Sequence, residues 1–593
     1  MTENLFAIVR SWVLDDILDF LPNLPDDARA RIEVTPTREA AHGDMASNAA
    51  LVAAKPAGMA PREIAGRLAE SLGKRPEVAR AEPAGPGFVN VTLAPAFLLA
   101  QIPVILAVRE DYGRGAAKPG LVNVEYVSAN PTGPLHVGHC RGAVVGDALA
   151  NLLQKAGFAV TKEFYVNDAG AQVVALARSV YFRYLEALYL EARAEAFAAG
   201  VPGGLQYGGE YLVPVGMDLA EAFGDRFVDA PEAEWIDTVR EFAVEKMLGL
   251  IREDLAALGV TFEVFSSERA MVQAGGVTRA LGILRDAGLI YQGVLEPPKG
   301  KTPEDWEPRQ QMLFKSTEFG DDVDRPVQKS DGSNTYFAND IAYHADKMRR
   351  GFETMIDVWG ADHGGYVKRM TAAVKALAGN GGARLDIVLC QIVRVMKDGA
   401  PVKMSKRAGT FVELRDLIDE VGPDAVRFLM LMRKSDAQME FDLNAAVAQT
   451  RDNPVFYVQY AHARCRSVLR AANVTQRLAE NTGKGFGAIA DATLETLTAP
   501  EELALIRRLI AWPRMVESAA DAREPHRIAF YLYELAGEFH ALWNAGRDDA
   551  ALRFLQAEKP AETAARVALV SATAIVIRSG LAVRGVKPVE EMR

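Results

Sequence analysis

Two short motifs carry the side chains best suited to chemistry. His136-Val-Gly-His139 brings two imidazoles close together, and Lys403-Met-Ser-Lys406 places two lysines around a small hydroxyl residue. Imidazole and ammonium groups can both stabilise negative charge on phosphate oxygens. Displacement at phosphorus requires mainly positioning and such charge stabilisation. Each motif alone is a weak signal, but both carry groups suited to binding phosphate.

The elements around the histidine motif suit a phosphate site. The apolar, β-branched run Leu121–Val127 predicts a buried strand, and the prolines and glycine of 128–134 predict a turn. Helical spacing of apolar residues predicts a helix over 137–155, and Phe158–Val166 indicates a second strand. The motif then begins a helix, whose free N–H groups and partial positive charge attract anions. Gly138 would let a ligand approach the backbone closely.

The lysine motif has a comparable setting. Asp386–Val395 indicates a strand, Lys397–Pro401 a turn, and Glu413–Val421 a helix. A lysine on its flexible stem can follow phosphates as a loop closes. The alternative for this motif alone is a solvated basic surface loop.

Composition limits the classes of protein that need be considered. A chain of 593 residues predicts several domains, and 49% hydrophobic and 24% charged residues are ordinary for a globular protein. We find no apolar run of about 18 residues and no signal-peptide pattern, so we expect a cytoplasmic protein with no membrane partner. Three cysteines without C-x-x-C spacing argue against disulfides and a structural zinc site. We therefore predict no protein-ligated metal.

Together and in this order, the two motifs resemble the signatures of class I aminoacyl-tRNA synthetases. Longer strings resemble arginyl-tRNA synthetases specifically and extend over essentially the whole chain. These strings are Glu125–His139, Phe164–Gly170, Gly208–Leu212, Thr335–His344, Val358–Gly364, Gly422–Arg427, Tyr457–Arg464 and Gly580–Val586. The segments His42–Asn48 and Ala84–Asn90 resemble the N-terminal domain of the same family.

The resemblance implies an α/β multidomain fold. Residues 1–117 would form an α+β domain that reads the tRNA D-loop, and 118–450 a Rossmann-like catalytic domain with an insertion of helices at about 170–330. Residues 451–593 would form an α-helical, anticodon-binding bundle. The implied activity is ATP-dependent conversion of L-arginine to arginyl-adenylate and its transfer to the 3′-terminal ribose of tRNA(Arg). The substrates would be ATP with Mg²⁺, L-arginine and tRNA(Arg), and we expect a monomer that binds no DNA. Bound tRNA would be required before arginine is activated.

The family pattern assigns the ATP site and the arginine site. His136, His139, Lys403 and Lys406 would be catalytic, with Gly138, Met404 and Ser405 also contacting ATP. A guanidinium needs carboxylates to accept its five donors. The residues expected around arginine are Glu125, Ser128, Asn130, Tyr336, Asp340 and Asp362. Of these, Tyr336 and Asp340 share one face if their segment is helical. Taken alone, Asp340 could equally be a surface acid, and we assign no role to His363.

The remaining predicted contacts are with tRNA. Phe88 and Asn90 would contact the D-loop corner, and Tyr457, Tyr460, Trp543 and Met592 the anticodon loop. Unstacked bases stack on aromatic side chains, which gives the aromatic residues a physical role. The alternative is that these aromatic residues belong to the core.

Two other function classes remain open from the residues alone. One is another class I nucleotidyl ligase, which would lack either the Tyr336–Asp340 string or the long helical C-terminal segment. The other is a non-catalytic RNA-binding paralogue, which would be expected to have lost histidines or lysines of the two motifs. Both motifs are complete in this chain.

Overall fold

The protein is described by a computed structural model that covers residues 4–37, 39–295, 309–402, 412–480 and 493–592. The chain divides into two compact units. One comprises residues 1–116, 155–157 and 449–593, and the other comprises 117–154 and 158–448.

Residues 1–116 contain helices and a small antiparallel sheet. The helices are α1 (Leu5–Phe20), α2 (Asp26–Ala30), α3 (Ala49–Ala57), α4 (Pro61–Leu72), α5 (Pro95–Leu99) and α6 (Gln101–Val108). The strands are β1 (Val34–Pro36), β2 (Met45–Ser47), β3 (Val78–Ala84) and β4 (Phe88–Leu93), in the sheet order β1-β2-β4-β3. Strand β4 alternates, with Val89, Val91 and Leu93 buried. The predicted α+β character is confirmed.

The unit formed by 117–154 and 158–448 holds the predicted nucleotide-binding fold. Its strands are β5 (Leu121–Glu125), β6 (Ala159–Val166), β7 (Val264–Ser267), β8 (Ile290–Gly293), β9 (Gln311–Phe314), β10 (Arg325–Gln328), β11 (Phe352–Gly360), β12 (Arg384–Cys390), β13 (Val393–Lys397), β14 (Ala400–Pro401) and β15 (Met439–Asp442). Its helices are α7 (Val137–Lys155), α8 (Ala171–Ala187), α9 (Glu191–Gly200), α10 (Leu212–Phe223), α11 (Glu232–Ala257), α12 (Glu268–Gln273), α13 (Gly276–Asp286), α14 (Tyr336–Arg349), α15 (Val367–Ala378), α16 (Leu414–Val421), α17 (Pro423–Met430) and α18 (Leu443–Val447).

A five-stranded parallel sheet organises this unit, in the order β12-β11-β5-β6-β7. Strand β5 is central and buried from Val122 to Glu125, as its apolar run predicts. Because β5, β6 and β11 are parallel, the segments that follow their carboxyl ends lie at one edge of the sheet. Open α/β sheets bind their ligands at this edge. The Rossmann-like architecture predicted from the sequence is confirmed.

The segment predicted as a helical insertion, 170–330, is more varied than expected. Helices α8 to α11 pack around Tyr181 and Trp235, whose rings stack with centroids 3.9 Å apart. The same segment also supplies β7, the edge strand of the parallel sheet, and the antiparallel sheet β10-β9-β8. These strands have four residues each, too short for a clear alternating pattern. The Tyr211 hydroxyl donates to the Thr132 carbonyl, 2.8 Å away, so the segment also contacts the loop before the histidine motif.

A buried ionic cluster fixes the helix that begins at the histidine motif. Asp147 on α7 accepts hydrogen bonds from Arg427 on α17, from Lys162 on β6 at 2.7 Å and from Tyr126 at 3.2 Å. The Arg427 guanidinium also donates to the carbonyls of 258 and 259, at 3.2 and 3.3 Å. Arg427 and Asp147 are buried, so their hydrogen bonds cannot be replaced by water. The bonds therefore favour a single packing of α7 against α17.

Residues 449–593 are helical, as predicted. The helices are α19 (Pro454–Glu480), α20 (Pro500–Ile510), α21 (Trp512–Asp521), α22 (His526–Asp548) and α23 (Pro560–Val583). Buried Trp512 donates from its indole N–H to the Tyr112 carbonyl at 3.1 Å, within the same compact unit as residues 1–116.

Helix α23 departs from one expectation. By length and composition it is apolar enough to cross a membrane, although we expected no such run. However, 78% of its apolar window is buried inside the structure, as in the core helix of a bundle. The interleaved small residues, alanine above all, weakened the apolar signal in the sequence.

Candidate functional site

The two histidines of the first motif are held in a defined orientation at the start of α7. Their ring centroids lie 3.9 Å apart. The Gly138 N–H donates to Nδ1 of His136 at 3.0 Å, and the His136 N–H donates to Nδ1 of His139 at 3.3 Å. A ring nitrogen that accepts carries no proton, so each neutral ring is protonated at Nε2. This tautomer can donate a hydrogen bond to a phosphate oxygen.

Gly138 has a steric reason to be glycine. A Cβ built there would lie 2.7 Å from Cε1 and 2.8 Å from Nδ1 of the His136 ring. Because Gly138 has no side chain, the His136 ring can occupy this space. The exposed Gly138 backbone also remains open to a ligand.

The second predicted motif, Lys403, Met404, Ser405 and Lys406, lies outside the described residues. Its C-terminal flank is described and runs antiparallel to the first motif. The Val137 N–H donates to the Val412 carbonyl at 3.1 Å, and the Leu414 N–H donates to the Leu135 carbonyl at 2.8 Å. Residues 412–414 are therefore bonded to the chain on both sides of His136.

Tyr336 and Asp340 lie on α14, so the condition under which they would share one face of a helix is met. The Thr335 hydroxyl caps this helix by accepting from the Ala338 N–H at 3.3 Å. Tyr336 is 76% exposed, whereas the Asp340 carboxylate points inward and accepts from the Tyr366 hydroxyl. Burial raises the pKa of Asp340 to about 6, against the opposing effect of the Tyr366 hydrogen bond.

A buried carboxylate that interacts with Asp340 was missed in the sequence. Glu268, at the start of α12, is buried and accepts from the Asn339 amide at 2.8 Å. Burial raises the pKa of Glu268, and its charge in turn raises the pKa of Asp340. Two neighbouring acids whose pKa values are both raised are suited to receive a cation, which favours their ionised forms. Glu268 follows β7, a strand too short to be recognised, so its position was not apparent.

Glu125 ends strand β5 and belongs to an internal ionic network. Its Oε2 accepts from the Lys347 ammonium at 2.6 Å, and its Oε1 accepts from the Ser128 hydroxyl at 2.8 Å. Lys347 also donates to Asp357 at 2.9 Å, and Asp357 in turn pairs with the His344 ring at 2.9 Å. Burial raises the pKa of Glu125, while Lys347 opposes this rise. No role was assigned to Lys347, Asp357 or His344 from the sequence, although His344 ends one of the strings that resemble the family.

The turn after Glu125 adopts an unusual backbone. Val127 and Ser128 have φ angles of 68° and 42°, in the left-handed region that β-branched residues rarely enter. The Ser128 hydroxyl stabilises the turn, since it donates to Glu125 and accepts from the Tyr165 N–H at 3.2 Å. Exposed Asn130 follows, at the same edge of the sheet.

Asp362 lies in the short helical turn Ala361–Tyr366 that follows β11. Its carboxylate is exposed, and Oδ2 lies 3.6 Å from Nε2 of the equally exposed His363. Neither side chain is held by burial, unlike Asp340 and Glu125.

The residues predicted to contact the D-loop share one face of β4. Phe88 is 37% exposed, and Asn90, two residues on, is half-buried on the same side of the strand. The exposure of Phe88 excludes a place in the core.

Three residues predicted to contact the anticodon loop lie together between α19 and α22. The Arg464 guanidinium lies 4.1 Å from the Tyr460 ring centroid and 4.6 Å from that of Trp543. Tyr457 lies against His540, with centroids 4.6 Å apart. These aromatic side chains are half-buried, so they are neither core residues nor fully open platforms. Arg464 and His540 were not assigned roles from the sequence.

Met592 is half-buried at the end of the described chain. The preceding tail packs along α19, where the Gln459 amide donates to the Lys587 carbonyl at 3.3 Å and Nδ1 of the His462 ring lies 2.8 Å from the Val589 carbonyl oxygen.

Comparison with known proteins gives one consistent result. Three family models match: the arginyl tRNA synthetase N terminal domain over residues 12–93, the tRNA synthetases class I (R) catalytic domain over 101–190 and 309–464, and the DALR anticodon binding domain over 458–592. The arginine–tRNA ligase of Gluconobacter oxydans is 57% identical over all of this chain and 98% of its own length. That of Rhodospirillum rubrum is 55% identical over the whole of both chains. Among solved structures, the Thermus thermophilus arginyl-tRNA synthetase shares the fold, with a TM-score of 0.71, 21% identity and coverage of 99% of this chain and 100% of its own.

Proposed function

The chain belongs to the arginyl-tRNA synthetase family, and on that premise we propose which of its residues perform each part of the reaction. It is an arginine–tRNA ligase, which activates L-arginine with ATP and transfers it to the 3′-terminal ribose of tRNA(Arg). One observation carries the assignment of residues. The oriented His136–His139 pair, the buried acids Glu125 and Glu268 and the half-buried Asp340 all belong to the compact unit built on the parallel sheet.

His136 and His139 donate from Nε2 to the phosphates of ATP, with Gly138 leaving room for the nucleotide. Lys403 and Lys406 neutralise charge on the phosphate oxygens, and Met404 and Ser405 complete the contacts to ATP. The arginine carboxylate attacks the α-phosphorus and pyrophosphate leaves, so negative charge builds up where these donors converge. Mg²⁺ enters with ATP as part of the substrate complex.

Asp340 and Glu268 accept the guanidinium of arginine, with Tyr336 covering it and Glu125 closing the pocket. A charged guanidinium favours the ionised form of both acids, so binding offsets the cost of their burial. Ser128, Asn130 and Asp362 contact the α-amino and carboxylate end of the substrate.

The tRNA is bound by the two terminal regions. Residues 1–117 read the D-loop through Phe88 and Asn90. Residues 451–593 bind the anticodon loop through Tyr457, Tyr460, Trp543 and Met592, supported by the match of 458–592 to an anticodon binding domain. The enzyme acts in the cytoplasm as a monomer, with neither DNA nor a membrane as a partner.

Lys406→Ala tests the role of the lysine motif. Loss of one preorganised charge donor lowers kcat for tRNA(Arg) charging by roughly 10²–10³-fold. The KM for arginine should change far less, because the lysine acts on the phosphates. Charging at a near-normal kcat would reject this assignment and leave the ligase activity itself untouched.

A further inference from the structure

We propose that Lys347 is a positioning residue for arginine recognition, which keeps Glu125 ionised and oriented and thereby holds the turn at Val127–Ser128. The inference rests on the proposed place of Glu125 in the arginine pocket. Lys347 itself contacts no substrate in this account.

The first support is the position of Lys347 on the substrate-reading helix. Lys347 follows Asp340 by seven residues, which is two helical turns and the same face of α14. Its side chain is 0% exposed and bridges Glu125 on β5 and Asp357 on β11, at 2.6 and 2.9 Å. One helix therefore carries both the acid that receives the guanidinium and the cation that holds the neighbouring acid.

The second support is the chain of contacts beyond Glu125. Lys347 occupies Oε2 of Glu125, and Ser128 occupies Oε1. A β-branched residue such as Val127 adopts a positive φ only when surrounding contacts stabilise that conformation. The Glu125–Ser128 hydrogen bond is one of these stabilising contacts. A carboxylate offers about four acceptor positions, so Glu125 held in this way can still accept from a ligand.

The third support is the charge around Glu125. The groups facing Glu125 or Lys347 are Asp357 on β11, Glu163 and Tyr165 on β6, and Asp340, Tyr343 and His344 on α14. Arg350, the residue that directly follows α14, is engaged by Glu163 through two hydrogen bonds of 2.8 and 2.9 Å. Without Lys347, Glu125 and Asp357 would be buried acids without a direct ammonium partner. Glu125 would then take up a proton and lose its charge for the guanidinium.

Arg350→Met is the matched control for Lys347→Met. Lys347 lies in the last turn of α14 and Arg350 directly follows the helix, and each pairs with a carboxylate of the parallel sheet. However, Glu163 keeps Tyr343, Asn123 and Ser266 as donors when Arg350 is removed. If these ion pairs only stabilise the fold, both variants should show the same changes in Tm and in the arginine KM.

The experiment measures the arginine KM between pH 7 and 9, with ATP and tRNA(Arg) saturating and thermal unfolding recorded in parallel. At pH 7, Lys347→Met should raise the arginine KM roughly 10–100-fold, the range for loss of an orienting partner. Its ATP KM, measured separately at saturating arginine, should stay near that of the wild type. As pH rises, Glu125 ionises and the arginine KM of the variant should recover relative to wild type. Arg350→Met should lower Tm with a nearly unchanged arginine KM and no such recovery.

A double variant, Glu125→Gln with Lys347→Met, removes both charges and keeps the test valid if Lys347→Met folds poorly. Its arginine KM should equal that of Glu125→Gln and show no pH recovery, because Lys347 acts through Glu125. An unchanged arginine KM in Lys347→Met, a pH profile matching Arg350→Met, or additive effects in the double variant would each overturn the proposal. Wild-type charging in the same series tests the proposed function separately.

Discussion

Among single residues, the half-buried Asp340 should make the binding of arginine depend on pH. Its pKa of about 6 means that it is neutral in more acidic solution and ionised at neutral pH. The arginine KM should therefore rise as pH falls from 7.5 to 5.5, while the ATP KM changes little. Asp340→Asn should abolish arginine charging at every pH in this range. ATP binding lost to the same extent in Asp340→Asn would mark the residue as structural.

The same residue carries an opposite consequence for stability. A carboxyl whose folded pKa lies above its unfolded value stabilises the fold in acid and loses that contribution as pH rises through the folded pKa. Ionised Asp340 therefore costs stability near pH 8 in the absence of arginine. Asp340→Asn should raise Tm there, which is the trade-off expected of a buried binding group.

Gly138 permits a steric test of the histidine pair. Gly138→Ala places a methyl group 2.7 Å from the His136 ring, so the ring must move and kcat should fall about tenfold or more. Gly142→Ala is the control on the same helix, because a Cβ there meets no atom within 4 Å. The control should be neutral or gain stability from better helix propensity. Equal kcat in both variants would show that the His136 ring position is unimportant.

The sequence revealed those site residues that belong to contiguous strings and missed those that meet only in space. His136, His139, Tyr336 and Asp340 stand in strings whose spacing indicates chemistry. Lys347 and Glu268 do not, because one is a lone lysine on a helix and the other follows a four-residue strand. Their roles depend on which strands the fold brings beside them.

At the scale of elements, the buried Arg427–Asp147 pair should control the stability of the unit built on the parallel sheet. Arg427→Leu leaves Asp147 and two carbonyls short of a partner, which should cost about 3–5 kcal/mol in urea unfolding. The Lys368–Asp322 pair is exposed on both sides and serves as control. Lys368→Met should have almost no effect, since exposed pairs contribute little. Equal losses in both variants would contradict the role of the buried cluster.

Regular elements were predicted where the hydrophobic period is long and regular. Helix α7 spans the predicted residues 137–155, and β5 and β6 differ from prediction by two residues or fewer. The predicted strand at 386–395 is instead two strands, β12 and β13, with Gln391 and Ile392 between them. Its apolar run is continuous, so nothing in the periodicity marks where the chain leaves the parallel sheet.

At the scale of the whole molecule, the proposed tRNA contacts and the activation residues belong to different compact units. Phe88, Tyr457 and Trp543 lie in one, and His136 and Asp340 in the other. A requirement for tRNA before arginine activation would therefore be a coupling between two distinct sites. The family resemblance predicts this requirement. Because the two sets of residues belong to different compact units, tRNA binding to one unit would have to change the arginine site in the other.

ATP–pyrophosphate exchange with each proteinogenic amino acid, with and without tRNA(Arg), tests the assigned activity most directly. We predict exchange with arginine alone, and only when the tRNA is present. Specificity should be strong, since a pocket of buried acids rejects side chains that leave those acids unpaired, by roughly 10⁴-fold or more. Exchange with arginine in the absence of tRNA would remove the coupling and leave the ligase assignment intact. Exchange with another amino acid at a comparable rate would contradict the assignment of the pocket to arginine.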